Sequence, residues 1–279
     1  MHELNNTNYH PIGVFDSGFG GLTVLKEIVK VLPDYDYLYL GDNARAPYGN
    51  RSFHTVYDYT LQCVKMLFDN GCHLVILACN TSSAKALRTI QQKDLPMIDS
   101  ERRVLGVIRP TTEMVGSIST TKNIGVLGTL GTVASHSYLT EIKKFAPDCN
   151  VFQHACPMWV PLVENNEHES DAADYFIQKD IELLLSQSDS IDTIILACTH
   201  YPLLINKIIK YLPQGIKLMP QGEVVANSLV NYLQRHPEME SRCSKGKSRH
   251  FFTTDSTVHF DSSAELFFGE RVESKHLKF

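Results

Sequence analysis

The chain has 279 residues, enough for about two domains at roughly 150 residues each. Hydrophobic residues make up 43% and charged residues 20%, a globular balance that excludes a disordered chain. Its formal net charge of −5 argues against a general nucleic-acid binder, which is usually basic, and leaves room for a local site for small anions.

Apolar runs taken in chain order predict strands at 11–15, 37–41, 74–78, 104–108, 123–127, 149–152, 192–197 and 216–219. Amphipathic stretches predict helices near 19–31, 52–70, 81–92, 132–145, 170–187, 201–211 and 222–235. Strands alternating with helices indicate parallel βαβ units, hence an α/β fold. Runs such as LVILA and TIILA are apolar at every position, as strands covered by helices on both faces require.

Two segments recur about one domain length later. Ile12-Gly13-Val14-Phe15-Asp16-Ser17 reads like Ile124-Gly125-Val126-Leu127-Gly128-Thr129, and LVILACNT at 74–81 reads like TIILACTH at 193–200. Two matches in the same order predict a duplicated α/β domain. The expected boundaries are 1–108 plus 219–279 for the first domain and 109–218 for the second. A hinge is expected near Arg109-Pro110-Thr111-Thr112, a return near Met219-Pro220-Gln221, and a ligand site in the cleft between the domains.

No apolar run approaches the roughly 18 residues of a membrane span. The start, MHELNNTNYHP, lacks the pattern of a signal peptide, and the ending KHLKF carries no prenylation cysteine. A cytoplasmic protein with reduced thiols is therefore expected. Seven cysteines without a CxxC suggest neither a disulfide framework nor a zinc site.

Ligands of open α/β sheets sit at the carboxyl ends of strands. After the first strand come Asp16-Ser17-Gly18-Phe19-Gly20-Gly21. This turn suits close backbone approach to an anion, or equally a capped helix start. It is neither GxGxxG nor a P-loop, so no nucleotide site is indicated. The second strand leads into Gly41-Asp42-Asn43-Ala44-Arg45-Ala46-Pro47-Tyr48-Gly49, a turn with Tyr48 near the sheet edge. The two repeated runs end in Cys79-Asn80-Thr81 and Cys198-Thr199-His200. A cysteine closing an apolar strand is most often a small buried hydrophobe, and Cys63, Cys72, Cys149, Cys156 and Cys243 are read that way. Cys79 and Cys198 differ in three respects. Each meets a helix N-terminus, where a thiol pKa is expected to fall. Each is followed by hydrogen-bonding residues. Both occupy equivalent places in the two halves. Two thiols facing each other across a cleft could take a proton from one face of a carbon acid and return one to the other. Asp16 is a candidate helper beside Cys79, with His200 and Glu164 beside Cys198.

At these residues the chain resembles the glutamate racemases of the aspartate/glutamate racemase superfamily. The resemblance rests on IGVFDSGFGGLTVLKEI at 12–28, YLGDNARAPYG at 39–49, ILACNTSSAKAL at 76–87 and GVIRP at 106–110. It continues in IGVLGTLGTVAS at 124–135, CPMWVPLVE at 156–164 and ILACTHYPLL at 195–204. It implies two pseudo-symmetric α/β domains with the active site between them, and L- and D-glutamate as a small-molecule substrate pair. It implies that Cys79 and Cys198 are the proton-transfer thiols, assisted by Asp16, Glu164 and His200, with Asp42 a further candidate. Asp16, Ser17, Tyr48, Gly49, Asn80, Thr81, Thr199 and His200 would contact the amino acid. The resemblance implies no pyridoxal phosphate, metal or nucleotide cofactor, no nucleic acid or membrane partner, a role supplying D-glutamate for peptidoglycan, and frequent homodimers.

Ser82 and Ala197 stand where the family commonly has Ala and Gly, and the loop around Asp99 to Arg103 is longer than usual. Met219–Glu223 departs from the usual DSAE- or DPAE-like wording. Aspartate racemisation is the nearest alternative, which PYG and CTHYPLL disfavour. A cysteine hydrolase would leave the second thiol idle, and the two-residue spacing of Cys198 and His200 predicts poor geometry for a dyad. A two-lobed amino-acid-binding module would explain the hinge but not the paired thiols.

Overall fold

A computed structural model describes residues 9–278. Residues 1–8, within the stretch read above for a signal, and Phe279 lie outside the described residues. Ten strands are β1 (Ile12–Asp16), β2 (Tyr37–Gly41), β3 (Leu74–Leu77), β4 (Arg103–Gly106), β5 (Asn123–Gly128), β6 (Asn150–Ala155), β7 (Thr193–Ala197), β8 (Lys217–Met219), β9 (Arg249–Thr253) and β10 (Ser274–His276). They form two sheets, ordered β10-β9-β2-β1-β3-β4 and β6-β5-β7-β8. Every pairing is parallel.

The order β2-β1-β3-β4 of the first sheet therefore recurs as β6-β5-β7-β8 in the second. The repeats in the sequence fall on equivalent strands: the Ile12 run is β1 and the Ile124 run β5, while the two cysteine-ending runs are β3 and β7. Every residue of β1, β3 and β7 is buried, which is why these strands carry no polar alternation. With β1 between β2 and β3, right-handed crossovers send the connecting helices to opposite faces. A crevice opens at the carboxyl ends of β1 and β3. The second sheet makes the same crevice beside β5 and β7.

The segment expected to act as a hinge at Arg109–Thr112 is helical. A helix spans Ile108–Ile118 between β4 and β5, with Pro110 as its third residue. In the first turn the missing proline N–H breaks no intrahelical bond. The chain leaves the second sheet after β8, and helix Gly222–Arg235 packs on helix Gly21–Val31. Beyond the predicted elements lie β9, β10, and helices at Trp159–Glu164 and Thr257–Phe268. Among the described residues no helix is long and apolar enough to cross a membrane.

Candidate active site

Cys79 follows β3 and caps the N-terminus of helix Asn80–Lys85, its Sγ accepting the Ser82 N–H at 3.4 Å. The thiol lies 3.5 Å from Ser17 Oγ, at the end of β1. Only 5% of Cys79 is exposed. Burial and the nearby Asp16 carboxylate push the thiol up to about 11, against the opposing pull of Ser82 and Ser17. The lowering expected at a helix N-terminus is thus outweighed, because removing a thiolate from water costs more than one helix end returns. Asp16 is itself buried, accepts the Gly18 N–H at 3.0 Å through Oδ2, and has no hydrogen-bond partner at Oδ1. Burial raises its pKa, while the charge of His200 works the other way.

Cys198 follows β7 in the equivalent place and is 6% exposed. Its Sγ is 3.9 Å from His200 Nδ1, and His200 Nε2 is 2.9 Å from Glu164 Oε1. The two-residue spacing does not keep Cys198 and His200 apart, because the chain turns between β7 and the short helix Tyr201–Leu204. Burial opposes charge on the His200 ring. The Cys198 sulfur and the Glu164 carboxylate outweigh it and hold the ring at about 10, so the imidazolium persists at neutral pH. Glu164 ends helix Trp159–Glu164, anchored by Trp159, whose fully buried ring sits 4.7 Å from that of Tyr201.

The two half-sites meet across the glycine turn after β1. Thr23 Oγ1 donates to the Thr199 carbonyl at 3.0 Å. A Cβ built on Gly20 would stand 2.2 Å from Thr199 Oγ1 and 2.5 Å from His200 Nδ1, so only glycine permits this approach. On another side Thr81 Oγ1 and Thr129 Oγ1 are hydrogen-bonded at 3.0 Å, and the Gly131 N–H donates to the Gly49 carbonyl at 2.7 Å. We expect Gly20→Ala to displace Thr199 and His200 and to lower kcat/KM by about 10²-fold, the scale of a 1 Å misplacement. Steady-state kinetics with a thermal melt would check this. Native kinetics would remove the Thr199–His200 turn from the site.

Asp16, Ser17, Cys79, Thr81, Thr199, His200, Cys198 and Glu164 are thus brought around one junction. Tyr48 is the exception. Its ring is fully buried, with centroids 6.3 Å from Phe15 and 5.8 Å from Tyr59, and its hydroxyl donates to Asp42. What Tyr48 and Gly49 can offer a ligand is backbone. Asp42 is likewise occupied, accepting from Arg45 Nε at 2.6 Å and Thr254 Oγ1 at 2.8 Å. Asn80 is held by Gln221 and Tyr138, two residues that the sequence reading did not place at the site. All seven cysteines are free. Among the described residues no group of three or more His, Cys, Asp or Glu could hold a metal ion.

Residues 12–228 match the family described as Asp/Glu/Hydantoin racemase. A glutamate racemase of Streptococcus thermophilus is 37% identical over 271 residues, covering 96% of this chain and 95% of that protein. The crystal structure of a glutamate racemase isoform from Bacillus anthracis aligns with a TM-score of 0.87 at 32% identity, covering 97% of this chain and 98% of that one. A glutamate racemase from Francisella tularensis, solved in complex with D-glutamate, aligns with a TM-score of 0.84 at 30% identity, again over 97% and 98% of the two chains.

Proposed function

Because the chain belongs to the Asp/Glu/Hydantoin racemase family, we propose that it interconverts L- and D-glutamate by proton transfer between two thiols. The observation that carries this reading is the pair Cys79 and Cys198 at equivalent strand ends, each beside its own acid–base partner. A single-base reaction would need only one such arrangement.

Glutamate presents an ammonium group, an α-carboxylate and a side-chain carboxylate. Asp16 Oδ1, buried and unpartnered, is suited to the ammonium. The substrate's positive charge also offsets the Asp16 charge that holds the Cys79 proton on, so binding favours the Cys79 thiolate. The α-carboxylate suits Ser17, Asn80, Thr81 and Thr199, which supply hydroxyl, amide and backbone donors. The side-chain carboxylate suits the backbone of Tyr48 and Gly49.

In one direction the Cys79 thiolate removes the Cα proton of D-glutamate and Cys198 delivers its thiol proton to the opposite face. L-Glutamate leaves, with Cys79 protonated and Cys198 a thiolate beside the His200 imidazolium. The reverse reaction restores the first state, so protons balance over a cycle. The same resemblance extends to a cytoplasmic setting, a homodimer, and supply of D-glutamate for peptidoglycan.

Incubation with L-glutamate in D2O is the test. Loss of the Cα–H signal together with loss of optical rotation is expected, with L-aspartate largely inert in parallel. Binding without exchange would favour the two-lobed binding module, and faster exchange of aspartate would move the substrate assignment.

A further inference from the structure

The segment Met219–Glu223, singled out for departing from the family's wording, carries a buried amide. Gln221 is 4% exposed and lies where the chain passes from β8 to helix Gly222–Arg235. Its Oε1 accepts from Asn80 Nδ2 at 2.6 Å. Its Nε2 donates to Tyr138 Oη at 2.6 Å, to Thr111 Oγ1 at 2.9 Å and to the Val107 carbonyl at 3.3 Å. Tyr138 Oη in turn donates to Asn80 Oδ1 at 2.7 Å. Asn80, Gln221, Tyr138 and Thr111 are all buried.

Three features make this more than core packing. Unbonded amides are costly to bury, so these side chains are held to one arrangement. The arrangement selects one orientation of the Asn80 amide. If that amide were turned over, its oxygen would face the Gln221 oxygen and its NH2 would face the hydroxyl that already accepts from Gln221. Finally, the hub spans the molecule. Val107 and Thr111 belong to the first crossing between the sheets, Gln221 to the second, Tyr138 to the β5–β6 connection, and Asn80 directly follows Cys79.

We propose that Gln221 and Tyr138 are positioning residues that fix the Asn80 amide, leaving one of its N–H groups for the substrate carboxylate and holding the Cys79 turn in register. This rests on Asn80 being a substrate contact, as proposed above. Gln221 and Tyr138 act through Asn80 and touch no reacting atom.

The test is a double-mutant cycle on kcat/KM for both enantiomers. Gln221→Met keeps the side-chain length and removes its hydrogen bonds; Tyr138→Phe keeps the ring and removes one hydroxyl. Each is expected to lower kcat/KM about tenfold, the scale of a lost bond to a charged ligand. Both directions must fall together, because the equilibrium constant between enantiomers is one. In an Asn80→Ala background, itself impaired, the same substitutions should cost less than about twofold, since the residue through which they act is gone. Full additivity would overturn the proposal, because general loosening of the fold does not depend on Asn80. Native kinetics for both single variants would overturn it too. Native kinetics for Asn80→Ala would instead remove Asn80 from the substrate site and the proposal with it. Should Gln221→Met fail to fold, the Tyr138→Phe cycle decides alone.

Discussion

Cys79→Ser is expected to lose racemisation yet still eliminate chloride from 3-chloroglutamate of the L configuration, while failing with the D form. Cys198→Ser should show the reverse. Racemisation needs a base on one face and an acid on the other. Removing either thiol should therefore cut it by at least about 10²-fold, the low end of what a positioned acid or base contributes. Elimination needs only one abstraction. The base takes the Cα proton, the electron pair expels chloride from Cβ, and the resulting enamine hydrolyses in solution to the keto acid and ammonium. The surviving thiol suffices for whichever enantiomer turns its Cα–H toward it. Serine preserves size and some hydrogen bonding, but its hydroxyl does not ionise in the thiol range, so binding should outlast chemistry. Chloride release measured on each enantiomer separates the outcomes. A complementary pattern with the hands exchanged would swap the two roles. If both variants process both enantiomers equally, the thiols do not flank the substrate.

What could be read from the sequence was whatever leaves a local mark. An apolar strand that ends in cysteine and hydrogen-bonding residues is legible once, and more so when repeated. The repeats fell on β1 and β5, and on β3 and β7, strands in equivalent places of two sheets. Asp16 was legible for the same reason, closing a buried strand. Three kinds of feature left no such mark. The first is direction. Tyr48 sits in a loop that reaches the site, but its ring turns into the core toward Phe15 and Tyr59, and residue type alone does not say which way a ring points. The second is burial. A helix N-terminus can be inferred from sequence, but the desolvation that outweighs it at Cys79 cannot. The third is long-range polar pairing. Gln221 meets Asn80 across 141 residues and Tyr138 across 83, distances at which no spacing rule operates. The unpredicted strands have a related cause. β9 begins with exposed Arg249, and β10 is a three-residue edge strand with two exposed residues, so neither forms a continuous apolar run.

His200→Asn should lower kcat/KM about 10²-fold near pH 8 and also change the shape of its pH profile. With His200 held at about 10 by Cys198 and Glu164, the wild-type ring is an imidazolium through the neutral range and places a cation 3.9 Å from the Cys198 sulfur. Cys79, pushed up to about 11 by burial and Asp16, is mostly a neutral thiol there. Racemisation needs one thiol and one thiolate, so kcat/KM, which reports titrations of the free enzyme, gains nothing from ionising both. The wild-type profile should fall as the pH rises through 10, where His200 gives up its proton. The asparagine variant lacks that titration. Its smaller rate should show no break at pH 10, so the penalty shrinks as the wild type loses its imidazolium. Glu164→Gln gives an intermediate case, because Glu164 is one of the two groups that hold the imidazolium. Its break should move below pH 10, with a smaller loss of rate at pH 8. The stability linkage has the same sign. A ring pKa raised from 6.5 to about 10 adds stability that is full below pH 6.5 and lost as the pH rises through 10. The wild type should therefore lose thermal stability over that window, and His200→Asn should lose less of it. A break that stays near pH 10 in His200→Asn would assign the titration to another group and leave Cys198 without its imidazolium partner.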